Sequence, residues 1–261
     1  MIEITKGTTP LVLGLPHTGL TIPADILPGM NDTARQMADT DWRIHDLYAG
    51  LLPGASSVRT QIHRYVIDVN RDPGGHSLYP GQNTTGLCPV TDFDGNALYD
   101  EGKEPNANEI ARRQGLYHAP YHRALTHELS RVRALHGHAI LYDCHSIRSH
   151  IPFLFTGRLP DINIGTNNGT TCHPELEQLV HSISAAAPYT QVLNGRFKGG
   201  WTTRHYADPA NGVHCIQMEL AQSTYMQESP PWAYDTAKAD TLRMPLHDIL
   251  AALSKWRPQV G

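Results

Sequence analysis

The sequence has no glycine-rich phosphate cradle: neither GxxxxGK[ST] nor GxGxxG occurs, which argues against nucleotide hydrolysis and dinucleotide-dependent chemistry. A GxSxG elbow is also missing, and with it the strand-turn-helix that presents a serine nucleophile. His127-Glu128 begins like HExxH, but Arg131 stands where the second histidine belongs, so the zincin signature is excluded. Cysteine is sparse. The four residues, Cys88, Cys144, Cys172 and Cys215, form no CxxC, which excludes a cysteine-rich zinc site and leaves reduced thiols as the expectation. Basic charge is short as well, with 21 Lys+Arg against 25 Asp+Glu and a net charge of -4, so nucleic acid and anionic membranes are not expected partners. No run approaches the ~20 apolar residues of a membrane span, and Met1 to Pro10 has no basic stretch leading into an apolar one. A cytoplasmic protein without internal repeats is expected.

What is present suits one α/β domain over residues 1–261, long enough to bury a substantial core. The run Ala139-Ile140-Leu141-Tyr142 leaves a helix and ends in Asp143-Cys144-His145-Ser146, as a buried parallel strand does when it delivers polar side chains to its carboxyl edge. Leu11 to Leu15 reads as another central strand, and His17 stands just beyond it. Further strands are expected at Ser56–Thr60, Tyr65–Arg71 and Val213–Leu220. Helices are expected in two pieces between Asp32 and Leu51, interrupted at Asp39-Thr40-Asp41, and over Asn106–His136, Pro174–Ala187 and Asp235–Lys255, with Pro120 breaking or kinking the second of these. Pro73 to Pro105, rich in Gly, Pro, Thr and Asn, is too long for a simple connection and is expected to cover the site as a lid.

Sixteen histidines cannot all be ligands, so position has to discriminate among them. His17 and His145 each follow a run that reads as a buried strand, where a zinc site spanning neighbouring strands would take its ligands; ordinary active-edge or helix-capping histidines are the alternative reading. His118 and His122 have the i, i+4 spacing of a helical metal pair, but Pro120 lies between them, and they read as surface histidines. Glu219 closes a largely apolar strand; it is either a structural partner of a basic residue or a general base with a raised pKa. Arg64, Arg71, Arg148 and Arg204 fall at or near strand ends. Around one site they would suit a dianionic amino-acid derivative, although a salt bridge accounts for any one of them alone. From the residues themselves the reading is a metal-assisted hydrolase of an anionic substrate.

Eight segments in order, Leu15-Pro16-His17-Thr18-Gly19, Asp39-Thr40-Asp41-Trp42, Val69-Asn70-Arg71-Asp72-Pro73, Pro120-Tyr121-His122, Asp143-Cys144-His145-Ser146, Asn163-Ile164-Gly165-Thr166-Asn167, Gly199 to Arg204 and Gln217-Met218-Glu219-Leu220, resemble the N-formylglutamate deformylase (N-formylglutamate amidohydrolase) family. The likeness runs from about Leu11 to Met226. It implies a zinc-carboxypeptidase-like (phosphorylase/hydrolase-like) fold, a mixed, largely parallel sheet sandwiched by helices. It also implies Zn2+ on His17, His145 and Asp41, with Asp39 competing for the carboxylate position, because Leu20 stands where the HxxE glutamate of carboxypeptidases would be.

The same resemblance implies Glu219 as general base and acid, Arg64 at the oxyanion and Asn70-Arg71 on a substrate carboxylate. Arg148 and Arg204 are added as substrate-binding residues, Asp143 as the group orienting His145, and Cys144 as a core residue pointing the other way. The implied reaction is N-formyl-L-glutamate plus water to formate and L-glutamate, the last step of one histidine-degradation route. A different N-acyl amino acid or peptide C-terminus, or a silent anion-binding protein, remain the alternatives.

Overall fold

A computed structural model describes residues 1–76 and 83–258. Among these residues seven strands form one sheet in the order β1-β3-β2-β4-β7-β5-β6. They are β1 (Ile2–Thr5), β2 (Leu11–Leu15), β3 (Ser56–Thr60), β4 (Ala139–Ile147), β5 (Ile162–Gly165), β6 (Gln191–Leu193) and β7 (Val213–Ala221). The pairs β2/β3, β2/β4, β4/β7 and β5/β6 are parallel, whereas β1/β3 and β5/β7 are antiparallel. The central strands β2 and β4 are buried along their whole length, as expected for parallel strands covered on both faces.

Among the described residues, seven α-helices accompany the sheet: α1 (Asp32–Arg35), α2 (Ile44–Tyr48), α3 (Ala107–Arg113), α4 (Ala119–His136), α5 (Pro174–Ala186), α6 (Trp201–Tyr206) and α7 (Thr236–Lys255). Side-chain alternation divides the core between the two faces. Leu11, Leu13, Ile140, Tyr142, Cys144, Ile216 and Met218 pack with α2, α5 and α7 on one face. Val12, Leu141 and Cys215 pack under Tyr121, Leu125, Leu129 and Val132 of α4 on the other. Cys144 therefore lies in the core, and all four cysteines are buried and free. Gly137, at φ 78°, caps α4 in the left-handed conformation and turns the chain directly into β4.

Two expectations are corrected. Tyr65–Arg71 is not a strand. Its apolar residues are buried, but turns carry them, with Val66 N–H donating to His63 O and Arg71 N–H to Asp68 O; an apolar run reports burial more reliably than it reports extended backbone. Pro120 does not break the long helix either. A π-helical segment, Gln114–His118, joins α3 to α4 and leaves the proline in the first turn of α4, where no backbone N–H is needed. Part of the expected lid, residues 77–82, lies outside the described residues; the adjoining Asn83 to Leu87, together with Phe93, border a cavity at the carboxyl edge of the sheet.

Candidate active site

The residues at the carboxyl ends of β2, β4 and β7 share one face and one cavity of about 300 Å³. His145 and Glu219 are register partners on β4 and β7, and Asp143 is paired with Gly14 on β2 and with Gln217 on β7. Gly14 is required at that crossing, because a Cβ there would come within 2.9 Å of the Asp143 carboxylate. His17 enters from the turn after β2, and its carbonyl accepts the N–H of Asp41 at 3.0 Å, which fixes the loop before α2 beside it.

Among the described residues, His17, Asp41 and His145 form the group able to hold a metal, their ligand atoms all lying within 4.8 Å of one another. Both Nδ1 atoms face Asp41 Oδ2, at 3.6 Å from His17 and 3.1 Å from His145. The opposite ring nitrogens are taken by carboxylates: His17 Nε2 lies 2.7 Å from Asp68 Oδ1, and His145 Nε2 lies 3.0 Å from Asp143 Oδ2. A carboxylate behind each imidazole fixes its orientation and raises its basicity as a ligand. His17 Nδ1 is buried without a hydrogen-bond partner. Two imidazoles and a carboxylate, buried and aimed at one point with one nitrogen left over, make a donor set suited to zinc.

The same groups set one another's protonation. Burial alone would push the His145 imidazole down, yet Asp143 and Asp41 beside it hold its pKa well above the usual value. Asp41 would rise on burial, but His17 and His145 hold it below the ordinary carboxylate range. The two carboxylates thus favour the charged form of the imidazole between them. Asp39, the expected competitor, is engaged elsewhere: it accepts the Phe93 N–H at 2.8 Å and lies 3.4 Å from Arg148 Nη2, and burial raises its carboxyl to about 6.

Glu219 stands beside this group on the cavity wall, and burial pushes its carboxyl up to about 8. Its Oε2 accepts from Gln217 Nε2 at 3.1 Å, and Gln217 Oε1 in turn accepts the Gly200 N–H at 2.6 Å. Arg64 and Arg71 line the same cavity and share one buried carboxylate, Asp68, at 2.7 and 3.5 Å. Asn70 lines it between them, its Oδ1 accepting the Thr202 N–H at 2.8 Å. Gly200 permits this approach, since a Cβ there would lie 2.5 Å from the Asn70 amide.

Arg148 and Arg204, expected to bind substrate, are not among the described residues that line the cavity. Arg148 is held by Asp94 at 2.7 Å and by Asp39, and Arg204 donates from Nε to Gly199 O at 2.9 Å. The sequence reading missed Asp68, Gln217 and Arg196. Arg196 reaches the cavity from the loop after β6, its guanidinium 5.5 Å from the Phe155 ring and 5.9 Å from the Phe197 ring. The one signal for it was its place just ahead of the Gly199-Gly200 segment.

Residues 9–226 match the family model of N-formylglutamate amidohydrolase. The chain belongs to the N-formylglutamate amidohydrolase family. It is 45% identical over 259 residues to an N-formylglutamate deformylase of Pseudomonas aeruginosa, covering 98% of this chain and 97% of that one. It is likewise 45% identical over 258 residues to an N-formylglutamate deformylase of Pseudomonas putida, covering 98% and 96%. The family's fold also appears in the crystal structure of N-formylglutamate amidohydrolase from Ralstonia eutropha, with a TM-score of 0.80 at 24% identity over 97% of each chain. A gene product of Agrobacterium tumefaciens shares it at a TM-score of 0.69 and 17% identity, over 97% of this chain and 96% of that one. Membership of this family makes the chain a hydrolase. Among the described residues no helix is long and apolar enough to cross a membrane.

Proposed function

We propose that the chain hydrolyses N-formyl-L-glutamate to formate and L-glutamate, with zinc held by His17, Asp41 and His145. The observation that carries this reading is the placement of Glu219 directly across the β4/β7 register from His145, on the wall of a cavity that Arg64, Arg71 and Arg196 also line. The naming of the Pseudomonas relatives supplies the formyl group. Histidine breakdown in the cytoplasm is the setting this reaction implies.

When bound, zinc supplies Lewis-acid polarisation of the formyl oxygen and makes water easier to deprotonate. Glu219 takes the proton as the water oxygen attacks the formyl carbon. A carboxyl near 8 can hold a proton and release it again close to neutral pH. As the carbon–nitrogen bond breaks, Glu219 hands that proton to the leaving amine, which departs as the amino group of glutamate. Gln217 keeps the Glu219 carboxyl aimed through its hydrogen bond. Arg64, buried and anchored on Asp68, supplies fixed positive charge for the oxyanion.

N-formylglutamate carries two carboxylates, and two further cationic groups face the cavity. Asn70 and Arg71 hold one carboxylate and Arg196 the other, which makes the site selective for a dianion. Arg148 and Arg204 take no part in this grip; the first is held by Asp94 and Asp39 and the second donates to Gly199 O. The test is glutamate release from N-formyl-, N-acetyl- and N-carbamoyl-glutamate by the same zinc-assayed sample. Preference for the formyl compound, lost on chelation and restored by zinc, supports the proposal; preference for either of the others, or metal-independent turnover, overturns it.

A further inference from the structure

Asn70 and Arg71 sit in a buried segment that belongs to no strand, so its backbone carbonyls have no ladder partners and need donors from elsewhere. Two histidines provide them. His122 Nε2 lies 2.8 Å from Val69 O, and His118 Nε2 lies 3.1 Å from Arg71 O, one on each side of Asn70. A carbonyl only accepts, so each ring nitrogen is the donor. We propose that His118 and His122 are positioning residues that hold the Asn70-Arg71 backbone from behind and thereby set the grip on the substrate carboxylate.

The surroundings are built for this task. The π-helical segment ends at His118, and its extra residue per turn sets the face that α4 turns toward residues 69–71. The two imidazoles lie 4.3 Å apart, centroid to centroid, and the Trp201 ring packs against both, at 5.7 Å from His118 and 4.8 Å from His122. Trp201 opens α6, whose next residue, Thr202, donates its N–H to the Asn70 side chain. Tyr206 at the other end of α6 stands 2.9 Å from His122 Nδ1. The Asn70 side chain and the backbone on both sides of it are thus tied to α4 and α6 together. Burial, above all, lowers the pKa of both histidines, for His122 to about 3, so the rings stay neutral with one donor nitrogen each. His118 is buried and His122 half-buried, which overturns the surface reading of the pair.

The inference rests on the proposed deformylase reaction, and its test separates the two. His118→Ala and His122→Ala are assayed for N-formylglutamate turnover, for inhibition by glutarate, a dicarboxylate without a formyl group, and for zinc content. The expected result is a KM and a glutarate inhibition constant that rise together by about ten-fold, the worth of one well-placed hydrogen bond, with kcat and zinc content retained. His122→Gln, which keeps a donor of similar reach, should recover most of the loss. Should the alanine variants not fold, His122→Gln against the shorter His122→Asn decides on the same criterion. KM and inhibition constant unchanged in active variants, or a fall confined to kcat, would overturn the inference. Failure of the parent protein to release formate would instead overturn the reaction, and glutarate binding measured by calorimetry would still judge the grip.

Discussion

His145 and Glu219 are opposite one another in the β4/β7 ladder, so the same hydrogen-bonded pairing fixes a proposed metal ligand and the proposed proton carrier. Glu219→Gln keeps the shape and removes the proton chemistry. Turnover should fall by about 10²–10⁴-fold, the usual worth of a general acid–base, while zinc content and thermal midpoint are kept. Elemental analysis and formate assay on one preparation check this; full activity in the variant would remove Glu219 from the mechanism.

Asp143 holds His145 from behind at 3.0 Å. Asp143→Asn should weaken zinc binding by about 10–100-fold, the range typical for an outer carboxylate on a ligating imidazole. Competition against a zinc indicator measures it, and an unaltered affinity would mean that His145 is oriented by other contacts.

Arg196 tests selectivity for the dianion. Arg196→Met should cost about 100-fold in kcat/KM for N-formylglutamate, because one carboxylate then enters the cavity without its partner charge. With Arg196 on the side-chain carboxylate and Asn70-Arg71 on the α-carboxylate, N-formylnorvaline, which lacks the side-chain carboxylate, should be little affected. Equal losses on both substrates would point to a damaged cavity and not to a lost contact.

Acid sensitivity should trace in part to His63, which is fully buried. Its Nδ1 accepts the Tyr65 N–H at 3.1 Å, so the proton sits on Nε2, 2.9 Å from Thr40 Oγ1. Burial, helped by Arg64, pushes its pKa from 6.5 down to about 3. Between those values the unfolded chain binds a proton that the folded chain refuses. Stability is therefore unaffected by this group above the unfolded pKa and falls as pH drops below it, by roughly 2 kcal/mol near pH 5. Urea midpoints near pH 7.5 and pH 5 should converge partly in His63→Gln; an identical pH slope would show that His63 is not the source.

The parts of the site that were legible in the sequence are those that strand geometry dictates. His145 and Glu219 close apolar runs, and alternation puts Cys144 in the core. Asp41 was one of two candidates until its backbone bond to His17 brought it, and not Asp39, to the imidazoles. Asp68 and Arg196 act from irregular backbone, where no periodicity exists to betray them. The segment 65–71 misled because its apolar residues are buried without strand pairing, and the histidine pair misled because Pro120 fits the first turn of a helix as comfortably as it disrupts an interior.

Asp68 meets His17 at 2.7 Å, Arg64 at 2.7 Å and Arg71 at 3.5 Å. One carboxylate therefore answers to a proposed metal ligand, to the proposed oxyanion arginine and to a proposed carboxylate-binding arginine, so filling the metal site and capturing the anion are expected to be linked. Any reaction that draws Asp68 toward the imidazole loosens its hold on the guanidinium groups, and thermodynamic reciprocity requires each ligand to change the affinity of the other by the same factor. Zinc affinity measured with and without glutarate should differ, and glutarate affinity with and without zinc should differ by the same ratio; two independent affinities would show that Asp68 does not link them.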